Sequence, residues 1–116
     1  MSSDPPRNDP AFSPQVFHIL LALADGPAHG YAVMQDVERE TNGAIRLGPG
    51  TLYGAIRRLR AEGLIEETAE DADAEQGRRT YRLTPGGRSA LRREAVRLER
   101  LVSAARARHL LPVEGA

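Results

Sequence analysis

The chain has 116 residues, enough for one small domain, and no cysteine, which excludes disulfides and thiolate metal sites. Its longest apolar stretch, residues 16–24, is too short to span a bilayer, so we expect a soluble, cytoplasmic protein with no membrane contact. His18, His29 and His109 are far apart in sequence and have no evident partner for catalysis or metal binding. We therefore expect no enzyme activity, no metal site and no cofactor.

The formal net charge is zero, but the charge is distributed unevenly along the chain. Residues 1–45, 46–65, 66–77 and 78–116 carry net charges of −4, +3, −6 and +7. All 16 basic residues are arginine, whose guanidinium group suits phosphate and guanine edges, although coding bias would give the same usage. The charge pattern is thus compatible with nucleic-acid binding but does not require it.

The N-terminal part of the chain predicts a tail followed by a buried helix. Residues 1–12 are rich in Pro, Ser and Asp, which is typical of a disordered tail. Ser13 followed by Pro14 matches an N-cap with proline at the first helical position, so a helix is expected from there to about residue 25. Its apolar residues lie nearly all round the helix, which predicts burial on most sides.

Two more helices are expected at residues 29–41 and at about 50–62. For the helix at residues 29–41, helical spacing predicts an inner face formed by Tyr31, Met34, Val37 and Thr41. Gly63 is well placed to end the helix at about residues 50–62, because glycine readily adopts the left-handed conformation of a helix C-terminus.

The rest of the chain predicts a hairpin and one long helix. Strands are expected at residues 64–69 and 78–83, joined by an acidic turn. Thr84 and the proline after it repeat the cap-and-proline signal and predict a helix over residues 85–111.

This order of elements is typical of the winged helix-turn-helix. The predicted fold class is mainly α with a small β-hairpin. A winged helix-turn-helix DNA-binding domain is expected at residues 13–84 and a single C-terminal dimerisation helix at residues 85–112, followed by a tail at 113–116. The third helix would read the DNA and the hairpin would be the wing.

The helix at residues 50–62 has the two faces that a recognition helix needs. Leu52, Ile56 and Leu59 form its inner stripe. The residues predicted to contact DNA lie elsewhere on the helix and are Thr51, Tyr53, Gly54, Arg57 and Arg58. Each has a simpler alternative, because Tyr53 could belong to the core, Gly54 could merely be tolerated and the arginine pair could be a solvated face.

The predicted wing is acidic at its tip. The tip residues are Glu70, Asp71, Asp73 and Glu75, which phosphates would repel. We therefore assign the DNA contact of the wing to Arg78 and Arg79 on the returning strand.

The last predicted helix carries a heptad-like apolar seam that suits helix–helix packing. The residues predicted to form a dimer interface are Leu91, Ala95, Leu98, Leu101, Val102 and Ala105. The alternative is that the seam packs only on its own domain.

Three segments resemble the PadR family of bacterial transcriptional regulators. Residues 29–32 resemble the opening of the second helix in that family. Residues 50–59 and 62–65 resemble its recognition helix and first wing strand, and residues 77–84 with 86–87 resemble its second wing strand and exit. Each motif is weak alone, but the three in this order and spacing are specific.

The resemblance covers about residues 13–90 and implies a homodimer that binds double-stranded DNA, usually as a repressor of neighbouring genes. It also implies a small-molecule effector, such as a phenolic acid or a drug, although nothing in the sequence marks its pocket. The chain departs from the family at Gly54, where proline is frequent, and in its acidic wing, which puts wing–phosphate contact in doubt.

Two other functions fit the same pattern. A winged-helix protein-interaction module without DNA binding would account for the acidic wing and the zero net charge. A ligand-carrying helical dimer would account for the long last helix. The first predicts no salt-sensitive DNA binding, and the second predicts a thermal shift with a ligand.

Overall fold

The structure, a computed structural model, describes residues 12–68 and 79–112. The predicted acidic wing tip, Arg78 and most of both tails lie outside the described residues. The elements within them are α1 (Pro14–Ala22), β1 (Ala28–His29), α2 (Gly30–Glu40), α3 (Pro49–Ala61), β2 (Ile65–Glu67), β3 (Thr80–Leu83) and α4 (Pro85–Ala107). The predicted class, mainly helical with a small antiparallel sheet, is confirmed.

Both predicted cap-and-proline signals begin helices. Ser13 Oγ accepts a hydrogen bond from the backbone N–H of Val16 at 3.1 Å, and Pro14 is the first residue of α1. Thr84 Oγ1 accepts one from the N–H of Gly87 at 2.9 Å at the start of α4. Each hydroxyl satisfies a donor that the helix itself leaves unpaired, which is why these positions set the helix starts.

The helix ends depend on residues in the left-handed region. Gly63 has a φ of +77° after α3, and the N–H of Leu64 donates to the carbonyl of Leu59 at 2.9 Å. After α4, His109 takes the same conformation at +59° and Leu110 donates to Ala105 at 3.0 Å. The predicted end of α4 near residue 111 was therefore too late, because histidine at this position is a weaker signal than glycine.

The sheet has three strands in the order β1-β3-β2, all antiparallel. Ile65 lies opposite Leu83 and Glu67 opposite Tyr81, so β2 and β3 form the predicted hairpin. On the other side of β3, Ala28 pairs with Tyr81. The sequence did not predict β1, since a strand of two residues is too short to show alternation.

Within the described residues, one hydrophobic core joins α1, α2, α3, α4 and the sheet. Its residues are Ile19, Leu20, Leu23, Val33, Val37, Leu47, Leu52, Ala55, Ile56, Leu59, Ile65, Tyr81, Leu83 and Leu91. Phe12 packs against this core, so the predicted tail does not include it.

The predicted inner face of α2 was partly wrong. Val33 and Val37 are each 1% exposed, whereas Tyr31 is 64% exposed. Val33 and Val37 are four residues apart and so satisfy the helical spacing as well as the predicted set does, and Gly30 precedes them on the same face. The structure thus turns Tyr31 towards solvent.

Candidate nucleic-acid interface

Helix α3 is anchored on one side and open on the other. Leu52, Ala55, Ile56 and Leu59 are 0–7% exposed and hold the helix against the core. The residues predicted to contact DNA lie on the opposite side of the helix; Thr51, Tyr53, Arg57 and Arg58 are exposed and Gly54 is half-buried. The structure therefore brings these five positions together on one accessible face.

Two adjacent arginines, Arg57 and Arg58, lie on this exposed face of α3. Among the described residues, neither Arg57 nor Arg58 forms an ion pair, whereas Arg46 lies 3.6 Å from Glu38 and Arg60 lies 3.6 Å from Glu67. The Nη2 of Arg57 lies near Gly54, 3.9 Å from where a Cβ would stand. Two guanidinium groups that form no ion pair with a described residue, on one exposed helix face, can take phosphate or guanine as a partner.

Tyr53 lies at the junction between α3, α2 and the sheet. Its hydroxyl stands over Gly30, and a Cβ added to Gly30 would lie 2.4 Å from Tyr53 Oη. Tyr53 is still 37% exposed, so its ring is partly packed and partly accessible, and its predicted contact with DNA stays a prediction. Burial, followed by the nearby Glu67 carboxylate and Tyr53 hydroxyl, raises the pKa of Tyr81 above its ordinary value, against the opposing effect of Arg60 and Arg79.

The base of the wing is held by ion pairs. Arg79 Nη1 donates to Glu67 Oε2 at 2.7 Å, and Arg82 Nε donates to Glu66 Oε2 at 2.8 Å. Arg79, predicted to contact DNA, thus has an intramolecular partner. Sequence reasoning did not single out Glu67 or Arg60, because their contact joins a strand to a helix and no local spacing reveals it.

The predicted dimer residues separate into two groups. Leu91 is 7% exposed and belongs to the core of its own chain, so it is removed from the candidate dimer surface. The heptad pattern could not show this, because one apolar row on α4 serves the domain core at its start and is exposed further on. The other five predicted positions are accessible, and they are Ala95, Leu98, Leu101, Val102 and Ala105.

The described part of the chain offers no other evident site. It brings together no group of three side chains suited to holding a metal ion. None of its helices has both the length and the hydropathy required to cross a membrane.

A helix-turn-helix pair followed by a hairpin, with an open arginine-bearing face on the second helix of the pair, defines a winged helix-turn-helix regulator. The model of the transcriptional regulator PadR-like family matches residues 19–93. The chain belongs to the PadR-like family of transcriptional regulators.

Two relatives show the extent of the similarity. The chain is 40% identical to the transcriptional regulator Rv3488 of Mycobacterium tuberculosis over 84 residues, which cover 72% of this chain and 75% of that protein. It is 48% identical over 84 residues to an uncharacterised 37.1 kDa protein in transposon Tn4556 of Streptomyces fradiae. The match covers 72% of this chain but only 22% of the Streptomyces protein.

Solved structures share the fold. A transcriptional regulator from Clostridium thermocellum matches with a TM-score of 0.64 and 26% identity over 80% of this chain and 87% of that one. Bordetella bronchiseptica BpsR matches at 0.63 and 22%, over 83% and 62% of the two chains. Bacillus subtilis PadR in complex with operator DNA matches at 0.55 and 23%, over 66% and 44%. At these last two identities the likeness is one of fold.

Proposed function

We propose that this chain is a sequence-specific transcriptional repressor that binds a palindromic operator as a homodimer and reads it with α3. The observation that carries the proposal is the open face of α3, where Arg57 and Arg58 have no acidic partner among the described residues. Because exposed like charges on one face attract a polyanion, this face is suited to the major groove and its flanking phosphates.

The homodimer part of the proposal depends on α4. This helix has 23 residues, and beyond Leu91 it carries exposed apolar side chains, of which Leu101 is 53% and Val102 is 44% exposed. A second copy would cover this stripe, and a two-fold axis would place two α3 helices about 34–36 Å apart. We accordingly propose a winged helix-turn-helix unit at residues 13–84 and a dimerisation helix at residues 85–112.

Release by a small molecule is the third part of the proposal. The DNA binding of BpsR is regulated by 6-hydroxynicotinic acid, and PadR of Bacillus subtilis was solved with its operator. Family membership supports the same kind of control here. If an effector binds, we expect its site between α4 and the winged domain.

The decisive experiment is a footprint of the purified protein on the promoter of its own gene, followed by titration of the protected fragment. We expect tight binding that weakens steeply as salt rises, because neutralised phosphates release counterions. The double variant Arg57→Ala/Arg58→Ala should lose at least about tenfold in affinity, roughly 1.4 kcal/mol, with unchanged thermal stability.

The matched control is the double variant Arg92→Ala/Arg93→Ala, which removes the same charge from exposed positions of α4. An equal loss of affinity in both variants would show that α3 does not read the DNA. Absence of salt-sensitive binding in the unmodified protein would instead favour the protein-interaction module.

A further inference from the structure

Glu67, the last residue of β2, links the two elements of the winged domain that are proposed to contact DNA, which are α3 and the wing. One carboxylate oxygen lies 3.6 Å from Arg60 Nη1 at the end of α3, and the other accepts a hydrogen bond from Arg79 Nη1 at 2.7 Å beside β3. The Glu67 side chain is 20% exposed, whereas those of Arg60 and Arg79 are 46% and 53% exposed. The carboxylate is therefore the inner member of the cluster, and both guanidinium groups reach solvent.

The cluster lies between the proposed reading helix and the base of the wing. Arg60 follows Arg57 and Arg58 on the reading helix, and Arg79 leads into the second strand of the wing. Guanidinium groups bind carboxylate and phosphate in the same forked geometry, so a carboxylate held against them occupies the place a phosphate would take. Because both arginines are about half exposed, a phosphate can approach them from solvent.

We propose that Glu67 is an internal competitor of DNA phosphate for Arg60 and Arg79. In the free protein its carboxylate engages both arginines, and on DNA binding a backbone phosphate displaces it from at least one of them. This inference rests on the proposed DNA-binding function. The inference adds that Glu67 weakens DNA binding. Contact at the wing base then requires a DNA phosphate to take the place of the Glu67 carboxylate.

The neighbouring residue supplies a matched control. Glu66 is on the same strand, and its carboxylate also pairs with an arginine of β3, Arg82, at 2.8 Å. Successive residues of a strand point to opposite faces of the sheet, so Glu66 and Glu67 lie on different faces. Glu67→Gln and Glu66→Gln thus change the net charge equally and differ in which arginines lose a carboxylate partner.

The test measures the affinity of both variants for the protein's own operator fragment at fixed salt, together with thermal unfolding. We expect Glu67→Gln to bind about fivefold more tightly than Glu66→Gln, with both variants folded. The gain should vanish in the Arg79→Ala/Arg60→Ala background, which lacks both guanidinium groups for which the carboxylate and the phosphate compete.

Three results would overturn the proposal. An equal gain in the two glutamine variants would reduce the effect to net charge. A loss of affinity in Glu67→Gln would make Glu67 a support for the wing instead of a competitor. A gain that persists without Arg60 and Arg79 would place its cause elsewhere. If the unmodified protein bound no DNA, the proposed function itself would have failed. That outcome differs from the three above, in which the unmodified protein binds DNA and only the effect of the variants is unexpected.

Discussion

The ring of Tyr53, in the second turn of α3, lies against the backbone of Gly30, the first residue of α2. A Cβ added to Gly30 would lie 2.4 Å from Tyr53 Oη and 2.9 Å from its Cζ. Glycine at position 30 therefore permits the two helices of the helix-turn-helix pair to approach, and it sets where the Tyr53 hydroxyl lies on the exposed face of α3.

Replacing Gly30 by Ala should push the Tyr53 ring outwards. Because that ring is 37% exposed and can swing into solvent, we expect a modest loss of stability of about 1 kcal/mol and a larger loss of operator affinity. Chemical denaturation and DNA titration of the single variant measure the two effects separately.

The double variant Gly30→Ala/Tyr53→Ala identifies the cause of the stability loss. With no ring to displace, Gly30→Ala should cost little in this background, giving a coupling energy of about 0.5–1 kcal/mol between the two positions. Strict additivity of the two substitutions would contradict the contact.

The contact between Gly87 of α4 and the backbone of Leu64, which follows α3, is closer than the contact between Gly30 and Tyr53. Backbone atoms cannot swing into solvent as the Tyr53 ring can. A Cβ added to Gly87 would lie 1.9 Å from the backbone oxygen of Leu64, which also accepts a hydrogen bond from the N–H of Thr84. Gly87→Ala should therefore lower the free energy of unfolding by about 1–3 kcal/mol or more, since backbone must move.

Gly86→Ala is the control for this prediction. The atoms nearest to a Cβ at Gly86 are 3.7 Å and 3.8 Å away, an ordinary contact distance. We expect a change within about 0.5 kcal/mol in urea unfolding. Similar losses in both variants would mean that the Gly87 contact does not limit the packing of α4.

Gly54 offers a way to separate stability from DNA contact. The nearest atom to a Cβ there, Arg57 Nη2, is 3.9 Å away, and glycine costs a helix interior up to about 1 kcal/mol relative to alanine. Gly54→Ala should thus stabilise the protein by about 0.5–1 kcal/mol in thermal or urea unfolding while weakening operator binding. An unchanged affinity would mean that Gly54 is only tolerated, the simpler alternative from the sequence.

Local signals predicted the parts of this fold that depend on neighbours in sequence. The caps at Ser13 and Thr84 follow from residue type, and the buried stripe of Leu52, Ile56 and Leu59 follows from spacing. The structure confirms both. Three short motifs in order also indicated the family correctly, although each of them is weak alone.

The sequence could not reveal contacts between distant segments. Leu91 fits a heptad seam as well as a core position, and only the packing of α4 on the domain decides between them. Either Tyr31 or Val33 could lie on the inner face of α2 by spacing. In the structure Val33 is buried and Tyr31 is exposed, and α3 contacts α2 at Gly30. The pairing of Glu67 with Arg60 and Arg79 likewise exists only once β2, β3 and α3 are assembled.

The proposed dimer predicts a difference between two valines of α4. Val102 lies in the apolar row with Ala95 and Leu98, whereas Val96, 47% exposed, lies well off that row around the helix. Val102→Glu should raise the dimer dissociation constant by about tenfold or more, because it buries a charge in the interface, and should weaken operator binding in parallel.

Val96→Glu adds the same charge on a different side of α4. In sedimentation equilibrium it should leave the dimer nearly intact, and both variants should keep the circular dichroism of the unmodified protein. Dissociation by Val96→Glu alone would assign the interface to another face of the helix.

The pair of Glu94 and Arg97 gives α4 a pH-dependent contribution to stability. Arg97 donates two hydrogen bonds, at 2.9 Å and 2.7 Å, to a carboxylate whose side chain is 9% exposed, and these bonds hold the pKa of Glu94 below its ordinary value of 4.5. A depressed carboxyl pKa stabilises the fold above about pH 4.5, and that stabilisation is lost as pH falls through the lower, folded-state value.

Arg97→Ala should therefore be destabilising at pH 7, and its deficit in the free energy of unfolding should shrink as the pH is lowered from about 5 towards 3. Arg100→Ala, which removes an exposed arginine without an ion pair to any described residue, is the control and should show no such convergence in unfolding measured across that range. A deficit for Arg97→Ala that stayed constant with pH would mean that Arg97 acts through packing of its stem and not through the Glu94 carboxylate.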